Sequence, residues 1–309
     1  MRFSRCSFIF ANMKSTNAKP FIKWAGGKYQ LLEEIELSLP KNLHKYKEIT
    51  YIEPFVGGGA VLFWILQKYP NITRAIINDI NSELICTYRI IRNNIKDLIL
   101  QLEVLQKEYL SLDTEKRKEY YLSRRTEYNS KQASDVRLAA LFIFLNKTCF
   151  NGLYRVNSKG MFNVPHGKYE NPRICDKENL HAVSALLQKV DILCGDFSIT
   201  EKYAGESTIF YLDPPYKPIS ATSSFTSYSK EGFSDTEQIR LRDFCTRISR
   251  MKSFFIASNS DAKEEAEKSF FDRIYSTFNI KRVSARRFIN ANPLKRCSVS
   301  EILISNTTQ

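Results

Sequence analysis

The residues Tyr211-Leu212-Asp213-Pro214-Pro215-Tyr216 set a carboxylate between a run of strand-forming side chains and two prolines. Successive prolines cannot continue a central ladder, so the strand must stop there and present Asp213 and the Pro214 carbonyl at the sheet edge. That pair of acceptors suits an amine. The exocyclic amino nitrogen of a nucleobase is a poor nucleophile because its lone pair is delocalised into the ring. A carboxylate oxygen and a backbone carbonyl together hold its two N–H groups and favour a tetrahedral nitrogen, whose freed lone pair can attack a sulfonium methyl. The amino group is out of reach inside a base stack, so Tyr216 offers an aromatic face to a base rotated out of the duplex. A chance turn would also read Asp-Pro-Pro-Tyr, and the segment gains its weight from a second one.

That second segment, Tyr51-Ile52-Glu53-Pro54-Phe55-Val56-Gly57-Gly58-Gly59-Ala60-Val61, carries an expected strand into glycines and then into a helix. Gly57 and Gly59 admit positive φ and leave no Cβ in the way of a ligand, while the amides of a helix N-terminus face the bound group. Twenty positions beyond Gly59, Asp79 ends the next expected strand in Ile76-Ile77-Asn78-Asp79. A carboxylate there accepts hydrogen bonds from ribose hydroxyls; the bland alternative is a helix N-cap. Loop and acid together point to an adenosine-containing cofactor. Leu62 breaks the G-x-G-x-x-G pattern and no G-K-[ST] occurs, which argues against dinucleotide binding and ATP hydrolysis.

The elements that would carry these segments are short apolar runs at Tyr51–Phe55, Arg74–Asp79, Asp191–Asp196, Thr208–Asp213, Phe254–Ser258 and Ser300–Ser305. Helices are expected at Ala60–Tyr69, Ser82–Ile91, Asp235–Ile248 and Asp261–Ser269, the last two opening with Asp as N-cap. Strands alternating with helices read as an α/β domain with a mostly parallel sheet. From about Arg92 to Arg173 the rhythm breaks into helices at Lys96–Leu110 and Lys131–Leu145 and a Gly-, Asn- and Pro-containing stretch, Asn146–Pro172. Residues 92–173 therefore read as an inserted domain that splits the other into 19–91 and 174–309. The charge run Glu115–Lys131 includes Lys116, Arg117, Lys118, Arg124 and Arg125. Such a run is ordinarily a solvated helix face, but beside a catalytic sheet it becomes a candidate for phosphate contact.

The 309 residues are 43% apolar and 26% charged, enough for one or two ordinary cores. Lys and Arg total 46 against 33 Asp and Glu, and with only three His the net charge is +13 and the pI near 9.3. A polyanionic partner is the first expectation, against the bland one of an organism-wide basic composition. The seven Cys are scattered, with no C-x-x-C and no Cys/His cluster at zinc-ligand spacing, so reduced thiols in a cytosolic protein without a metal follow. The apolar run Phe8–Ala11 is too short for a signal-peptide core, and no segment reaches the ~18 apolar residues of a membrane span. Residues 1–18 match no motif and read as a flexible arm, with Met13 as a possible internal start.

With these motifs the chain resembles the Dam-like family of S-adenosylmethionine-dependent adenine-N6 DNA methyltransferases, of the D12 class, from Pro20 to Ser305. Four further stretches carry the likeness: Phe21-Ile22-Lys23-Trp24-Ala25-Gly26-Gly27-Lys28, Asn151-Gly152-Leu153-Tyr154-Arg155-Val156-Asn157, Phe162-Asn163-Val164-Pro165-His166-Gly167-Lys168-Tyr169, and Ser220-Ala221-Thr222-Ser223-Ser224-Phe225. The resemblance implies a Rossmann-like, seven-stranded methyltransferase sheet with an inserted, mostly helical target-recognition domain. It implies S-adenosylmethionine contacts from Trp24, Lys28, Glu53, Phe55, Asp79, Asp196 and Asp213, with Gly57 and Gly59 under the methionine part, and catalysis by Asp213, Pro214, Pro215 and Tyr216.

The family's DNA-reading residues carry over to Phe150, Asn151, Leu153, Arg155, Asn157, Pro165 and Lys168. Arg155 would fork onto a guanine O6 and N7, Leu153 and Pro165 would meet a thymine methyl, Phe150 would wedge beside the displaced adenine, and Lys168 would meet phosphate. Core packing is the alternative for Leu153 and Phe150, and a solvated surface for Lys168. The implied partner is double-stranded DNA at 5′-GATC, the implied state a monomer, and the implied place the cytoplasm of a bacterial or phage-type system. The chain departs from the family pattern in Phe150, where a tyrosine can stand, in His166 and in the N-terminal arm.

Other readings meet specific obstacles. Cytosine-C5 methylation needs a cysteine nucleophile, normally after proline, and no Pro-Cys pair occurs. Cytosine-N4 enzymes usually carry Ser where Asp213 stands. RNA adenine methylation would use the same acceptors. A DNA-binding regulator on an inactive scaffold sits poorly with an intact set of Trp24, Lys28, Asp79 and Asp213.

Overall fold

A computed structural model describes residues 17–24, 26–217, 233–261, 269–286 and 298–307. Within them seven strands form one sheet: β1 Ile49–Glu53, β2 Ile72–Asp79, β3 Val190–Cys194, β4 Thr208–Leu212, β5 Phe254–Ser260, β6 Asn279–Arg286 and β7 Ser298–Ser305. Their order is β3-β2-β1-β4-β5-β7-β6. The first five strands pair in parallel, and β7 runs antiparallel between β5 and β6. This is the expected α/β, Rossmann-like architecture.

The central strands read as unbroken apolar runs because both faces of the sheet are covered. Tyr51, Ile77, Tyr211, Ile256 and Leu303 belong to one apolar layer, and their neighbours Ile52, Ile76, Phe210, Leu212, Phe255 and Ile302 to the other. Each fully buried side chain of this size contributes roughly 1.5–3 kcal/mol. The first layer is built with α1 Leu32–Ser38, α2 Ala60–Lys68, α3 Ser82–Asn93 and α7 Lys177–Leu187. The same layer takes in the helical segment α4 Ile95–Leu110, α5 Thr114–Ser130 and α6 Asp135–Thr148. On the other face lie α8 Asp235–Arg250 and α9 Phe270–Ile274.

Several expected boundaries move for identifiable reasons. Pro54 ends β1 at Glu53, so Phe55 lies beyond the strand. Asp213 follows β4 directly, whereas Asp196 stands two residues past β3 and caps a 3-10 turn, Phe197–Tyr203, by accepting from the Ser198 amide. In α8 the N-cap is Ser234, whose hydroxyl accepts from the Glu237 amide, so Asp235 is the first helical residue and not the cap. The expected helix Asp261–Ser269 falls mostly on residues 262–268, outside the described residues. Asp261 itself accepts from Ser300 Oγ (2.8 Å) and Arg282 Nε (3.3 Å), and Ser269 caps α9 in a reciprocal box with Asp272.

The edge strand β6 was not anticipated, because Lys281 and Arg282 interrupt its apolar pattern; basic residues on an edge also discourage pairing with another chain. The expected helix Lys131–Leu145 begins only at Asp135, since Lys131 takes a left-handed φ of 56° that closes α5 and Ser134 caps α6. The expected division after Ile91 falls inside α3. At the start of the described chain, Ala18 is buried and its amide donates to Gln67 Oε1 (2.7 Å), so this end of the expected arm is anchored; residues 1–16 lie outside the described residues.

Within the charge run, Arg117 donates to the carbonyls of Tyr109 (3.1 Å), Leu110 (3.0 Å) and Glu170 (2.7 Å). It thereby satisfies the last carbonyls of α4. Arg124 pairs with Glu127 (2.8 Å), Arg125 donates to Val164 O (3.3 Å), Lys116 pairs with Asp113 (3.4 Å) and Lys131 pairs with Glu83. These cations brace the helical segment.

Candidate active site

The carboxyl ends of β2, β1 and β4 lie side by side along one edge. The chain leaves β1 for β2 on one side, while β4 lies on the other, so this edge is the switch point at which open α/β sheets take their ligands. It gathers Glu53, the glycine loop, Asp79 and Asp213.

Gly57 (φ 48°) and Gly59 (φ 73°) are both left-handed, and Gly59 is the N-cap of α2. A Cβ on Gly57 would stand 2.8 Å from Trp24 Cδ1, and one on Gly59 would stand 2.6 Å from Tyr88 Oη. The loop needs glycine for the protein's own packing, quite apart from any ligand. Asp79 accepts from the amides of Gly57 (3.0 Å) and Asn81 (2.9 Å), tying the end of β2 to the loop beside it. It is not a helix cap: Asn81 caps α3 by accepting from the Glu83 and Leu84 amides. Burial pushes the Asp79 carboxyl up, against those backbone hydrogen bonds.

Glu53 is 2% exposed and accepts from Tyr51 Oη (2.8 Å). Burial raises its carboxyl well above the usual range, Tyr51 opposes the shift, and the nearby Asp213 and Asp79 add to it.

Asp213 is held from two sides. Lys28 Nζ pairs with Oδ2 at 2.9 Å, and Ser258 Oγ donates to Oδ1 at 2.9 Å. Lys28 is buried, donates also to Gly26 O (2.6 Å) and lies over the Tyr216 ring at 4.6 Å. Ser258, fully buried on β5, shares a hydrogen bond with Tyr211 Oη (3.2 Å). Pro214 is buried, and the carbonyl of Pro215 accepts from Gln238 Nε2 (3.2 Å). Tyr216 Oη donates to Glu301 Oε2 (2.8 Å) on β7, which fixes the ring in the plane of that contact. Motif reading missed Ser258 and Glu301, because strands that are distant in sequence bring them to Asp213 and Tyr216.

The other two expected cofactor residues lie on the same edge: Asp196 follows Gly195, whose amide donates to Asp79 O (3.1 Å), and Phe55 stands between Glu53 and the glycine loop. Asp196 takes a two-point ion pair from Arg240 (2.9 and 2.7 Å) and accepts from Ser198, and these contacts hold its carboxyl well below the usual range. Phe55 packs between Phe197 (5.4 Å) and Phe233 (5.9 Å).

The expected DNA-reading residues lie on two joined loops. Phe150 N donates to Pro165 O (2.8 Å), Gly167 N donates to Thr148 O (2.8 Å), and Cys149 bridges His166. Phe150 is 51% exposed; Pro165 and Lys168 are exposed beside it, and Leu153 is half-buried against the core. Asn151 adopts a left-handed φ of 55°, a conformation that asparagine tolerates. Buried Asn146 anchors this turn by donating to Gly152 O (2.9 Å) and Lys23 O (2.8 Å). Arg155 is exposed, with Nε on Asn163 Oδ1 (2.8 Å) and one Nη2 proton on Asn163 O (3.3 Å). Asn157 Oδ1 accepts from the Lys159 and Met161 amides (3.0 Å each) and so shapes the turn between Arg155 and Asn163. The stretch Ser220–Phe225 and Ala25 lie outside the described residues.

Among the described residues no helix is long and apolar enough to cross a membrane, and no three His, Cys, Asp or Glu side chains gather as a metal site. The family model for D12 class N6 adenine-specific DNA methyltransferase matches residues 24–289. Over 291 residues the chain is 50% identical to the type II methyltransferase M.MjaIII of Methanocaldococcus jannaschii, covering 93% of this chain and 99% of that protein. It is 40% identical to type II methyltransferase M1.LlaDCHI of Lactococcus lactis subsp. cremoris, over 94% of this chain and 96% of that one. To the DNA adenine methylase of Haemophilus influenzae it is 35% identical, over 92% of each. A switch-point site ending in Asp-Pro-Pro-Tyr and a family match across most of its length agree: this chain belongs to the D12 class of N6-adenine-specific DNA methyltransferases.

Proposed function

We propose that the chain transfers the methyl group of S-adenosylmethionine to N6 of an adenine extruded from double-stranded DNA within 5′-GATC, acting as a monomer in the cytoplasm. The observation that carries this is Asp213 at the end of β4, fixed by Lys28 on one oxygen and Ser258 on the other. A carboxylate pinned at both oxygens cannot rotate, and its remaining lone pairs keep one direction. With the Pro214 carbonyl it supplies the two acceptors that an amino group needs.

The site's charge fits that cofactor. Glu53, Asp79 and Asp213 crowd one edge with Lys28 paired to Asp213, and burial disfavours the charged form of the two acids at β1 and β2. A ligand bearing an ammonium and a sulfonium cation relieves that excess of negative charge. Asp79 would take the ribose hydroxyls, Glu53 and Asp213 the cationic part, and the N-terminus of α2 and Lys28 the carboxylate. When bound, the cofactor supplies a methyl group on a good leaving group. Asp213 and Pro214 orient the amino nitrogen toward it, Tyr216 stacks on the base, and Asp213 is the nearest acceptor for the proton that nitrogen must lose.

On the DNA side, Arg155 retains Nη1 and part of Nη2 for a guanine edge after its contacts with Asn163. Leu153 and Pro165 offer apolar surface to a thymine methyl, Phe150 fills the gap left by the extruded base, and Lys168 meets phosphate. The test is to incubate unmethylated plasmid with labelled cofactor and map the modified positions by sequencing. N6-methyladenine at GATC is expected; label on cytosine, or adenine modified at an unrelated sequence, would contradict the reading.

A further inference from the structure

Glu83 and Tyr154 make a contact that none of the roles above uses. Glu83 lies in the first turn of α3, four positions beyond Asp79, and its carboxylate accepts from Lys131 Nζ and Tyr128 Oη at the end of α5 and from Tyr154 Oη (2.6 Å). Burial opposes the charge on Glu83, and these hydrogen bonds outweigh it, holding the carboxyl below its usual range. The ring of Tyr154 stacks on Trp24 (5.5 Å between centroids, 27° between planes) and packs against Phe142 at 5.6 Å. Trp24 in turn covers the glycine loop, within 2.8 Å of where a Gly57 Cβ would stand. One side chain therefore touches both the helix that follows Asp79 and the indole over the loop, while the next residue, Arg155, stands exposed on the DNA-reading turn.

We propose that Tyr154, anchored on Glu83, is a positioning residue that couples cofactor binding to guanine reading. The inference rests on the functional reading above, in which Asp79 serves the cofactor and Arg155 the base, and on the family's placing of Trp24 against that cofactor. The Tyr154 hydroxyl and ring are held at two points, so the Leu153–Val156 segment cannot shift without disturbing α3 or Trp24. A ligand that orders one end lowers the cost of ordering the other, and by linkage the effect is reciprocal.

The test titrates S-adenosylhomocysteine, which cannot be turned over, into the full chain alone, with a short GATC duplex, and with a duplex whose guanine is replaced. For the wild type, the cognate duplex should tighten binding ~5-fold or more over the substituted one. Tyr154→Phe keeps the stack and loses the anchor; it should bring that ratio to within about twofold of unity while leaving duplex-free affinity nearly unchanged. Glu83→Ala, which removes the anchor from the other side, should do the same, and Glu83→Gln, which keeps an acceptor oxygen, should retain more of the ratio than either. A general loss of stability would weaken binding without moving the ratio between duplexes. A wild-type ratio of one, or a wild-type ratio kept in Tyr154→Phe or Glu83→Ala, overturns the proposal while GATC methylation stands. A wild type that methylates no GATC adenine takes down the functional reading and this proposal with it.

Discussion

The edge that would carry the chemistry and the loops that would read DNA are held in opposite ways. Around Asp213 the side chains are locked by other side chains: Lys28 and Ser258 on the carboxylate, Tyr211 on Ser258, Glu301 on the Tyr216 hydroxyl. The loops bearing Phe150, Pro165 and Lys168 are locked through their backbones, by Phe150 N on Pro165 O and Gly167 N on Thr148 O, and leave those side chains exposed. A reacting group must be fixed to a fraction of an ångström, which a buried supporting shell achieves. A reading surface needs a rigid frame with side chains free to meet base edges. Damage should follow the same division, with rate lost at the strand ends and discrimination lost on the loops.

The largest expected effect is on Asp213. Asp213→Ala should lower single-turnover methylation ~100-fold or more, since one positioned polar group of this kind carries that much in rate. DNA retention in a gel-shift assay should be unchanged. Ser258→Ala frees one oxygen of the same carboxylate and should show a smaller loss in the same assay.

Arg155→Ala should cost ~1–3 kcal/mol of preference for the cognate over a guanine-substituted site, read from the ratio of kcat/KM values, with nonspecific binding nearly intact. Arg155→Lys should recover only part, because an ammonium lacks the planar fork. Asn163→Ala, which removes the Nε partner, should give an intermediate loss.

Much of this division could be read from the chain itself. Asp79 and Asp213 were legible as strand ends because each closes an apolar run, Asp213 just before two prolines. The glycine loop was legible as a turn, but the fillers of its missing Cβ positions, Trp24 and Tyr88, come from elsewhere in the chain. Ser258, Glu301 and Glu83 were silent because their meaning lies in pairings between distant segments, and Asn163 because only the folded turn brings it toward Arg155. The basic run on α5 is the solvated face that its composition suggests only at some positions: Lys116 and Lys118 are exposed, whereas Arg117 and Arg125 donate to carbonyls of α4 and of the loop at Val164. β6 was hidden by the basic residues that suit it to an edge.

A smaller effect sharpens the contrast through pH. The Glu53 carboxyl lies well above its usual range, so the folded chain holds this proton more tightly than the unfolded one. Its contribution to stability is present at acid pH and is lost as pH rises from the usual carboxylate range through the folded value. Glu53→Gln cannot titrate, so its thermal unfolding midpoint should exceed the wild type's at neutral pH and converge with it in acid. Cofactor affinity should fall in the same variant.

Smallest is the effect of Lys168→Ala, which should weaken all DNA sequences about equally and make the dependence of log affinity on log salt shallower by about one unit. An unchanged slope would leave Lys168 as a solvated surface residue.

The division of labour is tested most directly by measuring single-turnover methylation for the wild type, Asp213→Ala and Arg155→Ala on the cognate duplex and on one with its guanine replaced. Asp213→Ala should lower both rates and keep their ratio, while Arg155→Ala should lower chiefly the cognate rate and bring the ratio toward one. A ratio that collapses in Asp213→Ala, or a uniform loss on both duplexes in Arg155→Ala, would contradict that division.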